Sequence, residues 1–368
     1  MVASNITTRE AMNVTQSTSH RRDLHERLNE GGVVCAEGYL FELERRGVLQ
    51  AGTFVPEVAL EHPEALAQVH REFVWAGSDV IEAFTYNGHR EKLRLIGKEE
   101  LLEPLNRSAL QVAKGVASEF PDDPPLVAGN ISNTNVFDPN DEGSTQEVRG
   151  MFEEMVQWAA EEGADFVIAE TFYYYEEARL ALEVIKSYGF PAVITFGLMA
   201  GAELLDHYSV DEACARLEDA GADVVGMNCF RGPSTMLPYL KRIRERVSCH
   251  VAGLPVPYRT TEEAPTFFKL RDDASSVSLP DDRAFPTALD PFYCNRYEVA
   301  QFALEAFQND IRYLGVCCGA APIHVREVAE AIGRRPYGSK YAPDMDKHFL
   351  YGIDRSLKPH IQAARSRA

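Results

Sequence analysis

Short runs of apolar, often β-branched residues recur along the chain, and most are followed by a stretch with a helical period. The runs are VVCAEGY (33–39), SDVIEAFTY (78–86), PLVAGNIS (125–132) and ADFVIAETF (164–172). They continue with PAVITFGL (191–198), ADVVGMNCF (222–230), CHVAGLPV (249–256) and IRYLGVCCG (311–319). Each is short and apolar enough to be a strand buried on both faces. Between them, Leu66, Val69, Phe73 and Ala76 fall at spacings of three and four, which predicts a helix over 63–77 with one apolar face. Val148, Phe152, Met155 and Ala159 predict another over 147–162. Ser209 followed by Glu212 reads as a capping box opening a helix whose face is Val210, Ala213, Leu217 and Ala220. Asn295 with Glu298 marks a further start, leading into Val299, Phe302 and Ala306, and Val325, Val328 and Ile332 close the series.

Eight strands alternating with helices imply right-handed parallel crossovers and a single (β/α)8 TIM barrel of the α/β class. An open doubly wound sheet would carry a Gly-x-Gly-x-x-Gly turn after its first strand, and none is present. The expected division is a flexible N-terminal extension over 1–30, the barrel over 31–333 and a tail over 334–368 that either packs outside it or frays. Insertions interrupt the rhythm after strand 2 (88–104), strand 3 (132–146) and strand 7 (259–294). All three follow strand C-termini, the end at which a barrel builds its active site.

Composition narrows the partners. The chain has 368 residues, 45% apolar and 25% charged, ordinary for a globular protein with a large core. Against 37 basic residues stand 56 acidic ones, a net charge of −19. Such a surface repels phosphate backbones and anionic bilayers, so small molecules are the expected partners, with no nucleic acid and no membrane. No apolar run approaches the ~20 residues of a membrane span, and the N-terminal stretch lacks the apolar core of a secretory signal. The cytoplasm is the expected compartment, and the sequons at Asn5 and Asn13 are read as chance. Seven scattered cysteines, an odd number, argue for free or metal-bound thiols in a reducing environment.

Three of those thiols carry the sharpest signal. Cys317 and Cys318 are adjacent at the end of the last strand, and Cys229 ends strand 6. Strand C-termini converge on one face of a barrel, so the three can meet. Three thiolates suit Zn²⁺ with a fourth position open to substrate. Cys35, Cys214, Cys249 and Cys294 read instead as buried packing residues. A thiolate-rich zinc is a weak Lewis acid towards water but suits binding a substrate thiol and lowering its pKa. That chemistry selects alkyl transfer to sulfur.

Six ordered motifs then converge on one family. They are EGYLFELERRG (37–47), EHPEAL (61–66), HREF (70–73), AETF (169–172) with EEA (176–178), GMNC (226–229) and GVCCG (315–319). The run from 31 to 333 resembles the homocysteine S-methyltransferase family, and within it the betaine–homocysteine S-methyltransferases. The resemblance implies a (β/α)8 barrel, a zinc on Cys229, Cys317 and Cys318, and methylation of homocysteine to methionine. It gives Glu170, ending strand 4, the catalytic-site role of holding the homocysteine amino group. Thr85, ending strand 2, is a candidate for a hydrogen bond to the same amino acid, with a strand-capping role as the alternative. Asn228 either orients the neighbouring thiolate or binds substrate, or is a plain turn residue.

The chain departs from the family twice. Where members carry an Asp-Gly-Gly or Asp-Gly-Ala turn after strand 1, this sequence has Ala36-Glu37-Gly38. Either Glu37 takes the place of that Asp from one position further on, or the amino-acid pocket is altered. At the three positions where the betaine enzymes surround the quaternary ammonium with aromatic rings stand Phe54, Asn87 and Thr171. Tyr86, Phe172 and Tyr173 are neighbours that can build a different cage. The methyl donor is therefore open among betaine and sulfonium compounds such as dimethylsulfoniopropionate or S-methylmethionine. Two other functions stay in view: a non-catalytic zinc or thiol sensor on the same barrel, and a methyltransferase acting on a different thiol. The family's oligomers leave a homo-oligomer possible for this chain.

Overall fold

The computed structural model describes residues 21–353 and 363–367. The sequons at Asn5 and Asn13, with residues 1–20 of the expected N-terminal extension, lie outside the described residues.

The strands are β1 (Val33–Ala36), β2 (Val80–Glu82), β3 (Leu126–Ser132) and β4 (Phe166–Phe172), followed by β5 (Ala192–Phe196), β6 (Val224–Asn228), β7 (His250–Leu254) and β8 (Tyr313–Val316). They form one closed, all-parallel barrel in sequence order, with β8 pairing back onto β1 from Val33↔Tyr313 to Ala36↔Val316. The helices before the second half are α1 (Leu24–Glu30), α2 (Tyr39–Arg45), α3 (Val58–Glu61), α4 (Pro63–Ala76), α5 (Arg90–Ile96), α6 (Leu102–Ala117) and α7 (Glu142–Glu161). The rest are α8 (Tyr175–Ser187), α9 (Val210–Asp219), α10 (Pro233–Arg246), α11 (Arg296–Gln308) and α12 (Pro322–Ala331).

The predicted apolar faces do the packing. Leu66, Val69, Phe73 and Ala76 are buried on α4, and Val148, Phe152, Met155 and Ala159 on α7. Ser209 accepts from the Glu212 amide at the start of α9, and Asn295 with Glu298 forms the full reciprocal box on α11. Ala220, expected on the α9 face, is the C-cap and lies exposed.

Two expectations change. Six strands end earlier than their apolar runs, because the chain turns into the mouth while still apolar; β3 and β4 run to the end of theirs. β1 stops at Ala36, and β8 stops at Val316 before the Cys317–Gly319 turn. The last residues of the 1–30 segment are also helical rather than flexible. Asp23 and Glu26 close a capping box on α1, which buries Leu24, Arg27 and Leu28 under the barrel floor. The Arg27 guanidinium, 4% exposed, reaches Asp123 at 2.9 Å and Asp79 at 3.4 Å. Arg334, at the start of the tail, pairs with the same Asp79, and Tyr337 packs 6.0 Å from Trp75 of α4. All three predicted insertions lie at the C-terminal mouth, and 259–294 is the longest. No described helix is long and apolar enough to cross a membrane.

Candidate active site

At the mouth, three strand ends present sulfur. Cys229 follows β6 in the left-handed region (φ 57°), and its amide donates to the Leu254 carbonyl at 2.9 Å. Cys317 follows β8, its amide donating to the Pro255 carbonyl at 2.9 Å. The sulfurs of Cys229, Cys317 and Cys318 all lie within 4.8 Å of one another. Three sulfurs at about 2.3 Å from one tetrahedral zinc stand about 3.8 Å apart, so the cluster is already close to the required size. Burial opposes ionisation of Cys229, but donation from the Cys317 and Cys318 thiols and from two backbone amides outweighs it and holds Cys229 well below the usual thiol range. Burial pushes Cys317 up, and hydrogen bonding to Cys229 pushes Cys318 up. Thiolates are the form that binds a metal, so a cation entering the trio displaces thiol protons. The donor set fits zinc.

A clamp holds the double-cysteine turn. Gly319 has φ +93°, and a Cβ there would overlap the Tyr258 hydroxyl. Tyr293 donates to the Gly319 carbonyl at 2.7 Å, and Arg45 reaches Tyr258 at 3.2 Å and lies over the Tyr293 ring. His324 stacks on Tyr293 and accepts from the Ala321 amide at 3.0 Å, a capping role. His89 stands at the N-cap position of α5 without a side-chain cap, and it is buried with neither ring nitrogen partnered among the described residues.

Beside the sulfurs lies a pocket lined by Glu37, Glu82, Asn130 and Glu170, with Tyr86 and the three cysteines. Asn228 is its hub. Its amide nitrogen reaches Glu170, Glu37 at 3.3 Å and the Cys317 sulfur at 3.8 Å, while its oxygen accepts from the Thr171 amide and the Thr195 hydroxyl, each at 2.9 Å. Glu170 also accepts from Asn130 at 2.8 Å. Burial pushes its carboxyl up to about 7, against the lowering effect of that bond. Burial, with the Glu170 charge, also pushes Glu37 and Glu82 well above the carboxylate range.

The structure therefore brings Glu37, Glu170, Asn228, Cys229, Cys317 and Cys318 together. Thr85 is different: its hydroxyl donates to the Asn130 carbonyl at 2.8 Å and is not part of the pocket lining. Glu82 and Asn130 were missed by sequence reasoning. A charged or amide residue inside a run read as buried on both faces was the available signal.

The aromatic neighbours divide. Tyr86 lines the pocket, and Tyr173 stacks on Phe230 at 5.8 Å. Phe172 turns into the core against Phe152 and builds no cage. Phe268, from the 259–294 insertion, packs 4.9 Å from Phe230, and the Phe267 amide donates to the Phe230 carbonyl at 2.9 Å. That insertion folds over the mouth.

The homocysteine S-methyltransferase family matches residues 34–332. The chain belongs to that family. It is 34% identical over 362 residues to betaine–homocysteine S-methyltransferase 1 of Xenopus tropicalis, covering 95% of this chain and 85% of that protein. It is 31% identical over 355 residues to the S-methylmethionine–homocysteine S-methyltransferase of Pongo abelii, covering 94% and 91%. Among solved structures, the metallated form of the Escherichia coli homocysteine methyltransferase MmuM superposes with a TM-score of 0.63 at 18% identity, over 82% of this chain and 96% of that one. At that identity the superposition shows a shared barrel. As a family member the chain is a methyltransferase, which removes the non-catalytic sensor from consideration.

Proposed function

We propose that the protein moves a methyl group from a methylated onium donor to the sulfur of homocysteine, giving methionine, with zinc held by Cys229, Cys317 and Cys318. The observation that carries this reading is the meeting of three sulfurs within 4.8 Å beside a pocket of buried carboxylates. When bound, zinc lowers the pKa of the substrate thiol and keeps it a thiolate at neutral pH. The protein's own residues do the rest. Glu170 and Glu37 accept from the substrate ammonium, which places its sulfur beside the cysteines. Asn228 holds both carboxylates in position and fixes the Cys317 side of the trio. Tyr86, Tyr173 and Phe230 face the methyl donor with ring surfaces suited to an onium cation. The aromatic cover from 259–294 excludes water, leaving rate enhancement to alignment and a desolvated thiolate. A reducing, cytoplasmic setting suits three thiols that must stay unoxidised.

Betaine and a sulfonium such as dimethylsulfoniopropionate or S-methylmethionine are the donors to separate. The test incubates reduced, zinc-loaded protein with homocysteine and each methyl-labelled donor and reads labelled methionine. One donor is expected to dominate. If none labels methionine, the reaction proposed here is wrong. Zinc content of Cys229→Ser is the parallel check on the ligands, and undiminished stoichiometry removes Cys229 from the set.

A further inference from the structure

We infer that Glu82, to which neither the sequence motifs nor the family match assigns a role, is a specificity-determining residue for the acceptor's amino group. With Glu37 and Glu170 it completes a carboxylate cage for one primary ammonium. The inference rests on the proposed reaction for the identity of the acceptor, but the cage itself rests on geometry.

Glu82 ends β2, Asn130 lies on β3 and Glu170 lies on β4, three neighbouring strands. The Asn130 amide nitrogen donates to Glu82 and to Glu170, so each of its two hydrogens has a carboxylate. This fixes the orientation of the amide and leaves Oδ1 buried without a partner among the described residues, on a residue 4% exposed. Across the pocket Glu37, 6% exposed, is tied through one oxygen to Asn228, and its other oxygen is also buried without a partner among the described residues. Both orphans are acceptors. Among the described residues, no lysine, arginine or histidine lines the pocket. Three buried carboxyl groups without a basic neighbour, and two acceptors without donors, define a site that lacks a cation carrying N–H groups. A primary ammonium supplies one positive charge and three donors. A hydroxyl or methyl in its place would leave the acids without a counter-charge, so the site discriminates by amine.

Calorimetry on the zinc-loaded full chain tests this with two ligands that need no reactive thiol: methionine and its des-amino analogue, 4-(methylthio)butanoate. Wild type is expected to prefer methionine. Glu82→Gln is expected to weaken methionine binding by about 10- to 100-fold, the range for losing a charge-assisted hydrogen bond. Binding of the des-amino ligand should stay within about threefold or improve, because only the ammonium contact is removed. Glu82→Asp, which keeps the charge, should fall between wild type and Glu82→Gln, and it carries the test with the wild-type preference if Glu82→Gln does not fold. Three results overturn the assignment: unchanged methionine binding in Glu82→Gln, equal weakening of both ligands, or no amine preference in wild type. Equal weakening is what a metal ion in the cage or a purely structural role would produce. Amine preference that persists when no donor labels methionine refutes the proposed reaction and leaves the cage standing. Labelled methionine with an unresponsive Glu82→Gln does the reverse.

Discussion

Replacing Gly319 by alanine should damage the metal centre without touching a ligand. The residue sits one position after Cys318 with φ +93°, where a side chain costs about 1–2 kcal/mol from the backbone alone. Its Cβ would also overlap the Tyr258 hydroxyl and approach ring atoms Cζ and Cε2 at 2.6 and 2.7 Å. Tyr258 cannot retreat cheaply. It is fully buried, its hydroxyl is held by Arg45 at 3.2 Å, and its ring packs 4.9 Å from Tyr293 and 6.2 Å from Phe267. Overpacking of that kind costs a further ~1–3 kcal/mol. The expected total is about 2–5 kcal/mol, a fall in Tm of roughly 3–8 °C for a barrel of about 300 residues. Because the turn carries two of the three sulfurs, zinc affinity should also fall at least about tenfold. Scanning calorimetry reads the first effect and competition with a chromophoric chelator the second. Tyr258→Phe removes the atom met first, so the double variant should recover part of the loss as a coupling of about 1 kcal/mol or more. Wild-type Tm and zinc affinity in Gly319→Ala, or strict additivity in the double variant, would refute the clamp.

Two further outcomes follow from buried polar groups. Glu177 is 1% exposed and accepts from the Thr134 amide at 2.8 Å and hydroxyl at 2.7 Å, yet burial pushes its carboxyl up to about 7. Its folded-state pKa is raised, so its contribution to stability is fully present below about 4.5 and is lost as pH rises through about 7. Urea unfolding between pH 5 and 8 should show that loss in wild type, at most about 3 kcal/mol, and a flatter profile in Glu177→Gln; identical slopes would count against it. Thr85→Val should cost about 1 kcal/mol of stability through the lost bond to the Asn130 carbonyl and leave the KM for homocysteine unchanged. A large rise in KM would return Thr85 to the substrate.

The barrel was legible in the sequence because its signals are local. A strand buried on both faces is a short apolar run wherever it occurs, and the faces of α4 and α7 repeat at the helical period. The three cysteines were legible for a related reason: parallel strands that close on themselves bring all their C-terminal ends to one face, so a residue's place in its strand fixes its place at the mouth. The 1–30 extension was misjudged where α1 begins, since seven residues give too short a pattern, and what holds them is a cap and the pairing of Arg27 with Asp79 and Asp123.

By itself, then, the sequence determined the eight-stranded barrel and the sulfur trio, because periodicity and strand order carry that information, while Glu170 was singled out by the resemblance to a family. Only the tertiary structure decided which way side chains at the strand ends turn. It placed Glu37 in the pocket, aimed Thr85 at a backbone carbonyl, sent Phe172 into the core and set Glu82 and Asn130 beside Glu170. The physical reason is that a strand end leaves the period-two rule: at Thr171 and Cys229 the backbone turns left-handed, with φ of 61° and 57°, and side-chain direction there is set by contacts across the barrel and no longer by position in the chain.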